Sequence, residues 1–282
     1  MKPLDPAIRK RLFVGLLLVV GLMLLLTAIK QLQGPGQAAR PRLGLMTTLP
    51  LQWPEGTIAT AVDEKAAPAP AYSRLVGQYR IVPVDNMEQL KQERLHILLM
   101  AQSRGLAPRE LVAVDTWVRN GGRVLILADP ALQWESIYPV GDNRRPLFTT
   151  LLTPLFAHWG LELVLPVGEK EEQIAIRKIG TLAIKTRTPG EWLAKSNASG
   201  SDCSITHQGL VADCRVGRGR AILVGDADLL DGEYWQGTGI RALSGSDDFG
   251  NMAWLSSLLR NLRTNKGSAG EIMGDSGNDS AI

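Results

Sequence analysis

Hydrophobic positions recur along this chain in three rhythms, and each predicts a different kind of element. The first is unbroken: Leu12 to Ile29 reads LFVGLLLVVGLMLLLTAI and carries no charge. A run of this length suits a helix that crosses a bilayer. The second is a series of short apolar runs, RLGLMTTL from 42, YRIVPV from 79, HILLMA from 96 and RVLILA from 123. Continuous apolar runs predict strands covered on both faces, as in a parallel sheet. Helical spacing fills the gaps between them. Ala71 to Gly77 reads as a short helix, and Asn86 to Arg94 as another, capped by Asp85 or Asn86. Pro108 to Asn120 carries Leu111, Val114, Trp117 and Val118 at helical intervals, and Gly121-Gly122 supplies a left-handed cap. Strands alternating with helices at this spacing predict right-handed crossovers.

The third rhythm is alternation. After a predicted helix over 147–159 and a strand over 161–165, QIAIRKI and TLAIKT alternate polar and apolar around Gly180. Cys203 to His207 and Leu210 to Val216 read as a second hairpin. The region from about 170 to 217 is therefore expected to be an antiparallel insertion. RAILVG, from 220, returns to the buried-strand pattern, and Asn251 to Leu262 is a helix with Met252, Leu255, Leu258, Leu259 and Leu262 on one face.

These rhythms divide the chain. Residues 1–11 form a short N-terminus, 12–30 a transmembrane helix, 31–41 a polar Gly/Pro linker and 42–263 an α/β domain. The Gly/Ser/Asn/Asp-rich residues 264–282 are expected to be a disordered tail. Lys2, Arg9, Lys10 and Arg11 precede the apolar run, so the positive-inside tendency leaves the N-terminus in the cytoplasm and exports the domain. In a bacterium that is an inner-membrane protein with a periplasmic domain. The rival reading is a cleaved signal peptide, with small residues at Gln37-Ala38-Ala39. The apolar run is longer than such peptides use, which favours the anchor and makes the lipid bilayer the chain's first partner.

Composition narrows the function. The chain has 282 residues, a formal net charge of +3 and two cysteines. No basic stripe interleaved with aromatics suggests nucleic acid. Two cysteines are too few for a disulfide scaffold and wrongly spaced for a zinc ribbon. Cys203 and Cys214 lie on adjacent predicted strands, and an exported domain permits a cross-hairpin disulfide; two buried thiols are the alternative. No Gly-flanked Ser or Cys elbow occurs. His96, His158 and His207 have no partners in a recognisable triad, so no catalytic residue is expected. Asp129 and Asp226 each follow a buried strand, which places both on the carboxyl edge where open α/β sheets bind ligands. With Asp228 they could offer oxygens to a hard cation, but Asp after a strand more often caps the next turn. The expectation is no metal and no cofactor. Arg144 and Arg145 could hold a carboxylate or phosphate near the same edge; pairing with Asp142 inside their loop is the other reading. Asp129, Arg144, Arg145, Asp226 and Asp228 are thus the candidate ligand or partner contacts.

Two segments carry a resemblance. LVAVDTWVRNGGRVLILADP, from 111, and GRGRAILVGDADLL with the helix NMAWLSSLLRNL resemble the corresponding units of class I glutamine-amidotransferase-like domains. They resemble in particular the membrane-anchored, non-catalytic version found in bacterial ABC-transporter auxiliary and gliding-motility proteins. The resemblance implies a flavodoxin-like, mostly parallel sheet over about 42–263. Catalytic relatives place a Cys on the elbow after the third strand, followed downstream by His-x-Glu. Here Gln102-Ser103-Arg104-Gly105 follows HILLMA, and no His-x-Glu exists. The resemblance therefore implies an accessory subunit of a membrane complex with a membrane-protein partner. An extracytoplasmic ligand sensor is the alternative, and a hydrolase with a carboxylate site a further one.

Overall fold

The computed structural model describes residues 20, 21, 23, 40–56, 67–166, 174–196, 199–244 and 246–264. Among the described residues, no helix is long and apolar enough to cross a membrane. The apolar run of 12–29 lies outside them except for three positions, as do the linker up to 39 and nearly all of the tail.

From Arg42 onward the elements alternate as the apolar runs predict. They are β1 (Arg42–Thr47), α1 (Pro70–Gln78), β2 (Arg80–Pro83), α2 (Glu88–Gln92), β3 (Ile97–Ala101), α3 (Pro108–Arg119) and β4 (Arg123–Leu127). After α4 (Thr153–His158) and β5 (Leu161–Val164) come six strands: β6 (Ile174–Ile179), β7 (Leu182–Arg187), β8 (Glu191–Ala194), β9 (Ser201–Thr206), β10 (Val211–Val216) and β11 (Gly219–Val224). A 3-10 turn at Asp228–Leu230, α5 (Gly232–Trp235), α6 (Ile240–Leu243) and α7 (Asn251–Thr264) close the domain.

The central sheet has seven strands in the order β2-β1-β3-β4-β11-β10-β9. The first five are parallel. The fold is thus α/β with a largely parallel sheet. β3 and β11 have every residue buried, as strands covered on both faces require. One face packs Ala71 and Leu75 of α1 and Leu255, Leu258, Leu259 and Leu262 of α7 against Leu43, Leu99, Leu125 and Ile222. The other packs Leu90 of α2, Val114 and Val118 of α3, and Leu155 and Phe156 of α4 against Leu98, Val124 and Leu223.

The turn between α3 and β4 shows why its glycines are needed. Gly121 has φ +107°, in the left-handed region. A Cβ on Gly122 would lie 2.4 Å from the Trp117 ring, which packs over the turn.

Two expectations are corrected. The helix predicted over 147–159 is confined to Thr153–His158. Its first half has other uses for its backbone: Thr150 N donates to Asp129 O, Phe148 O accepts from Leu132 N, and Leu147 O accepts from Gln102 Nε2. Pro154 lies in the first turn of the helix, where its missing N–H costs nothing, and so marks the start of α4. The antiparallel region is also not one insertion. β6 and β7 pair with each other, and β8 pairs with β5. β9 and β10 instead extend the central sheet through β11. A tight turn at Gly217-Arg218, with Gly217 at φ +57°, folds β10 back along β11 and so joins the hairpin to the core.

Candidate functional site

The parallel strands β4 and β11 are neighbours, with Leu127 beside Val224. The residues that follow them therefore meet, which brings Asp129 and Asp226 together at the carboxyl edge. The 3-10 turn adds Asp228. One oxygen from each carboxylate lies within 4.8 Å of the others, and all three residues are 0% exposed.

Backbone N–H groups supply most of the hydrogen bonds. Asp129 Oδ1 accepts from Ala131 N at 2.8 Å and Oδ2 from Ala227 N at 3.2 Å. Asp226 Oδ1 accepts from Leu229 N at 2.9 Å and Oδ2 from Arg187 N at 3.0 Å. Asp228 Oδ2 accepts from Gln133 N at 2.9 Å. Asp228 Oδ1 is buried and has no hydrogen-bond partner among the described residues. These bonds are the turn-capping roles expected of Asp after a strand, but three caps converge on one point.

The convergence raises every carboxyl in the cluster. Burial, then the charges of Asp226 and Asp228, push Asp129 well above the usual carboxylate range. Burial and the neighbouring Asp228 push Asp226 up to about 8. Burial pushes Asp228 up to about 7, against the pull of the Gln133 N–H and the Arg187 guanidinium. Carboxylate oxygens alone, without sulfur or imidazole, are the donors of a site for a hard cation.

Gln102 is a member of the site that sequence reasoning missed. It follows β3 with φ +39° and is 1% exposed. Its Oε1 accepts from Asp129 N at 2.9 Å, and its Nε2 donates to Leu147 O at 2.8 Å and Asp129 O at 3.3 Å. It sits at the elbow after β3 and acts there as a clamp on the Asp129 backbone. Nothing in its sequence context distinguishes it from an ordinary loop glutamine. Arg187 is the other such residue, since it reaches the cluster from β7. Its guanidinium bonds to Gln133 O and the Tyr234 hydroxyl.

Arg144 and Arg145 make their side-chain bonds inside their own loop. Arg144 pairs with Asp142 at 2.7 Å and stacks 4.1 Å over the Tyr138 ring, while Arg145 Nη1 donates to Tyr138 O at 2.6 Å. The Arg144 guanidinium holds the Asp142 carboxyl down to about 2. The five candidate residues thus form a buried trio and an exposed, self-paired loop. An open cavity on this edge lies elsewhere, about 380 Å3 at the ends of β1 and β2, lined by Thr47, Thr48, Trp53, Asp85 and Arg104 among others. Cys203 and Cys214 face each other across β9 and β10 and are joined by a disulfide.

No curated protein matches the chain. Among solved structures, the mmIFT52 N-terminal domain is similar over 68% of this chain and 88% of its own, at 13% identity and a TM-score of 0.46. Cytoplasmic Protein STM3548 from Salmonella typhimurium is similar over 77% and 97%, at 13% identity and a TM-score of 0.43. An exo-beta-1,4-mannosidase, Op5Man5 from Opitutaceae bacterium strain TAV5, is similar over 78% of this chain and 36% of its own, at 14% identity and a TM-score of 0.41. Nothing about activity passes from likenesses at this level. The sequence comparison is more specific: residues 40–164, running from the start of β1 to the end of β5, match the family model described as ABC-type uncharacterized transport system.

Proposed function

We propose that this chain is a membrane-anchored accessory subunit of an ABC-type transport system. Its flavodoxin-like, glutamine-amidotransferase-like domain stands on the periplasmic side of a bacterial inner membrane and contacts a membrane-protein partner. The observation that carries this reading is the family match over 40–164. The uncharged run at 12–29, with Arg9, Lys10 and Arg11 before it, supports the anchor and its orientation.

A non-enzymatic role is supported by the elbow after β3, where Gln102 is engaged with the Asp129 backbone. It is supported also by the burial of the three carboxylates, which leaves them no cleft over which to meet a substrate. The loop after β4 favours partner contact. It exposes Ile137, Val140 and Phe148 beside the Arg144–Asp142 pair, and single-residue exposure there reaches 91% at Val140.

A second reading, a small-molecule sensor, is favoured by the 380 Å3 cavity and the exposed Trp53 at its rim. The test is co-purification of the tagged full chain from membranes. A permease or ATPase subunit should be retained by the native chain and lost when Val140, Arg144 and Phe148 are changed together to Ser, Glu and Ser. A native chain that retains no membrane protein, but gains thermal stability with a small solute, supports the sensor. A C-terminal reporter active only in the cytoplasm would overturn the topology.

A further inference from the structure

We propose that Asp129, Asp226 and Asp228 hold a hard divalent cation, Ca2+ or Mg2+, inside the domain. This goes beyond the transport reading and does not depend on it, and it departs from the expectation that the chain carries no metal.

Proximity is the first ground. The three carboxylates present oxygens within 4.8 Å of one another. Ca2+ binds oxygen at about 2.3–2.6 Å, so two ligands on opposite sides of the ion stand up to about 5 Å apart. Mg2+, at about 2.0–2.1 Å, requires the carboxylates to draw somewhat closer.

Hydrogen-bond satisfaction is the second ground, and it is independent of the first. Five of the six carboxylate oxygens each accept one backbone N–H. The sixth, Asp228 Oδ1, belongs to a residue that is 0% exposed and has no donor among the described residues. A carboxylate oxygen buried without a donor is costly, and buried polar atoms are nearly always satisfied. A cation among the three carboxylates satisfies it.

Charge is the third ground. The three carboxylates are buried side by side. The Arg187 guanidinium acts on Asp228 and Arg177 on Asp226, while Asp231 adds a further negative charge beside Asp228. The cluster must therefore take up either protons or a cation, because uncompensated buried charge is not sustained. Backbone N–H groups supply partial charge only. They do, however, hold five of the oxygens in place, which is how a coordinating set is pre-arranged.

The two ways of neutralising the cluster are separable by experiment. The full chain is purified in mild detergent, stripped with a chelator, and dialysed against Ca2+ or Mg2+ at neutral pH. Bound metal is measured by elemental analysis and unfolding by tryptophan fluorescence. The expected result is one ion bound per chain and a rise of several degrees in Tm with Ca2+ or Mg2+, the stronger arm naming the native ion. Asp228→Asn and Asp226→Asn, isosteric but uncharged, should lose both responses. If an Asn variant fails to fold, the native chain alone decides through its metal content. Absence of bound metal, a metal response that persists in a folded Asp228→Asn variant, or a Tm indifferent to both cations overturns the proposal. In the last case protons neutralise the cluster.

Discussion

Removing the Gln102 side chain tests whether the elbow after β3 is a structural clamp. In Gln102→Ala, the buried Asp129 N loses its acceptor, and Leu147 O loses its donor. An unsatisfied buried amide costs about 1–3 kcal/mol, and a hydrogen bond to a partly exposed carbonyl about 1 kcal/mol. The 3.3 Å bond to Asp129 O adds little. The expected loss is about 3 kcal/mol, or roughly 6–12 °C in Tm for a domain of this size. The backbone gives an internal control. Gln102 sits at φ +39°, where a non-glycine residue costs about 1 kcal/mol. Gln102→Gly loses the same bonds but relieves that strain, so it should be the more stable of the two variants by about 1 kcal/mol, less any entropy glycine gains when unfolded. Urea unfolding of the full chain in detergent, followed by tryptophan fluorescence, reads both. A loss below about 1 kcal/mol in Gln102→Ala would refute the clamp, as the buried-amide cost alone should exceed it. A glycine variant clearly less stable than the alanine one would refute the account of the backbone.

Other perturbations follow from single contacts. Arg104, hydrogen-bonded to Glu110 at the start of α3, holds that carboxyl down to about 2. Its stabilisation is therefore complete above the unfolded pKa of about 4.5 and is lost as pH falls toward 2; with Arg104 41% exposed, screening leaves about 1 kcal/mol, and Arg104→Ala should remove this acid-range slope from a pH series of urea midpoints. The Cys203–Cys214 bridge closes a loop of sequence separation 11, so the double Cys→Ala variant should lose about 2–3 kcal/mol in the same unfolding assay. Gly122→Ala would drive a methyl into the Trp117 ring and should cost about 1–3 kcal/mol, with a shift in the Trp117 fluorescence; an unchanged Tm would show that the turn relaxes freely.

Much of the architecture could be read from the chain because each parallel strand is its own signal. ILLMA and RVLIL are buried on both faces, so no alternation blurs them, and polar turns mark their ends. The convergence of Asp129 and Asp226 was legible for the same reason: both follow such strands. What failed was any inference that depends on distant backbone. Residues 147–152 have helical spacing of Leu and Phe, yet their backbone is bonded to Leu132, Asp129 and Gln102. The hairpin β9–β10 alternates like an insertion, but its pairing is decided by β11, which comes later in the chain. Gln102 reaches the Asp129 backbone across 27 positions and the Arg187 N–H reaches the Asp226 carboxylate across 39, and no local pattern records such a reach.

The carboxylate cluster also explains how the two halves of the domain are joined. Asp129 comes from the segment that matches the transport family, whereas Asp226 and Asp228 lie after it. Asp226 receives the Arg187 N–H and so ties the end of β7 to the end of β11. Asn251, at the start of α7, holds the same hairpin from the other side, accepting from Lys185 N and donating to Lys185 O and Leu229 O. Among the described residues the β6–β7 hairpin pairs with no other strand, and these polar bonds supplement its packing through Ile179 and Ile184. Asp129, Asp226 and Asp228 thus fasten three chain segments through buried hydrogen bonds, beside the packing of the core around them.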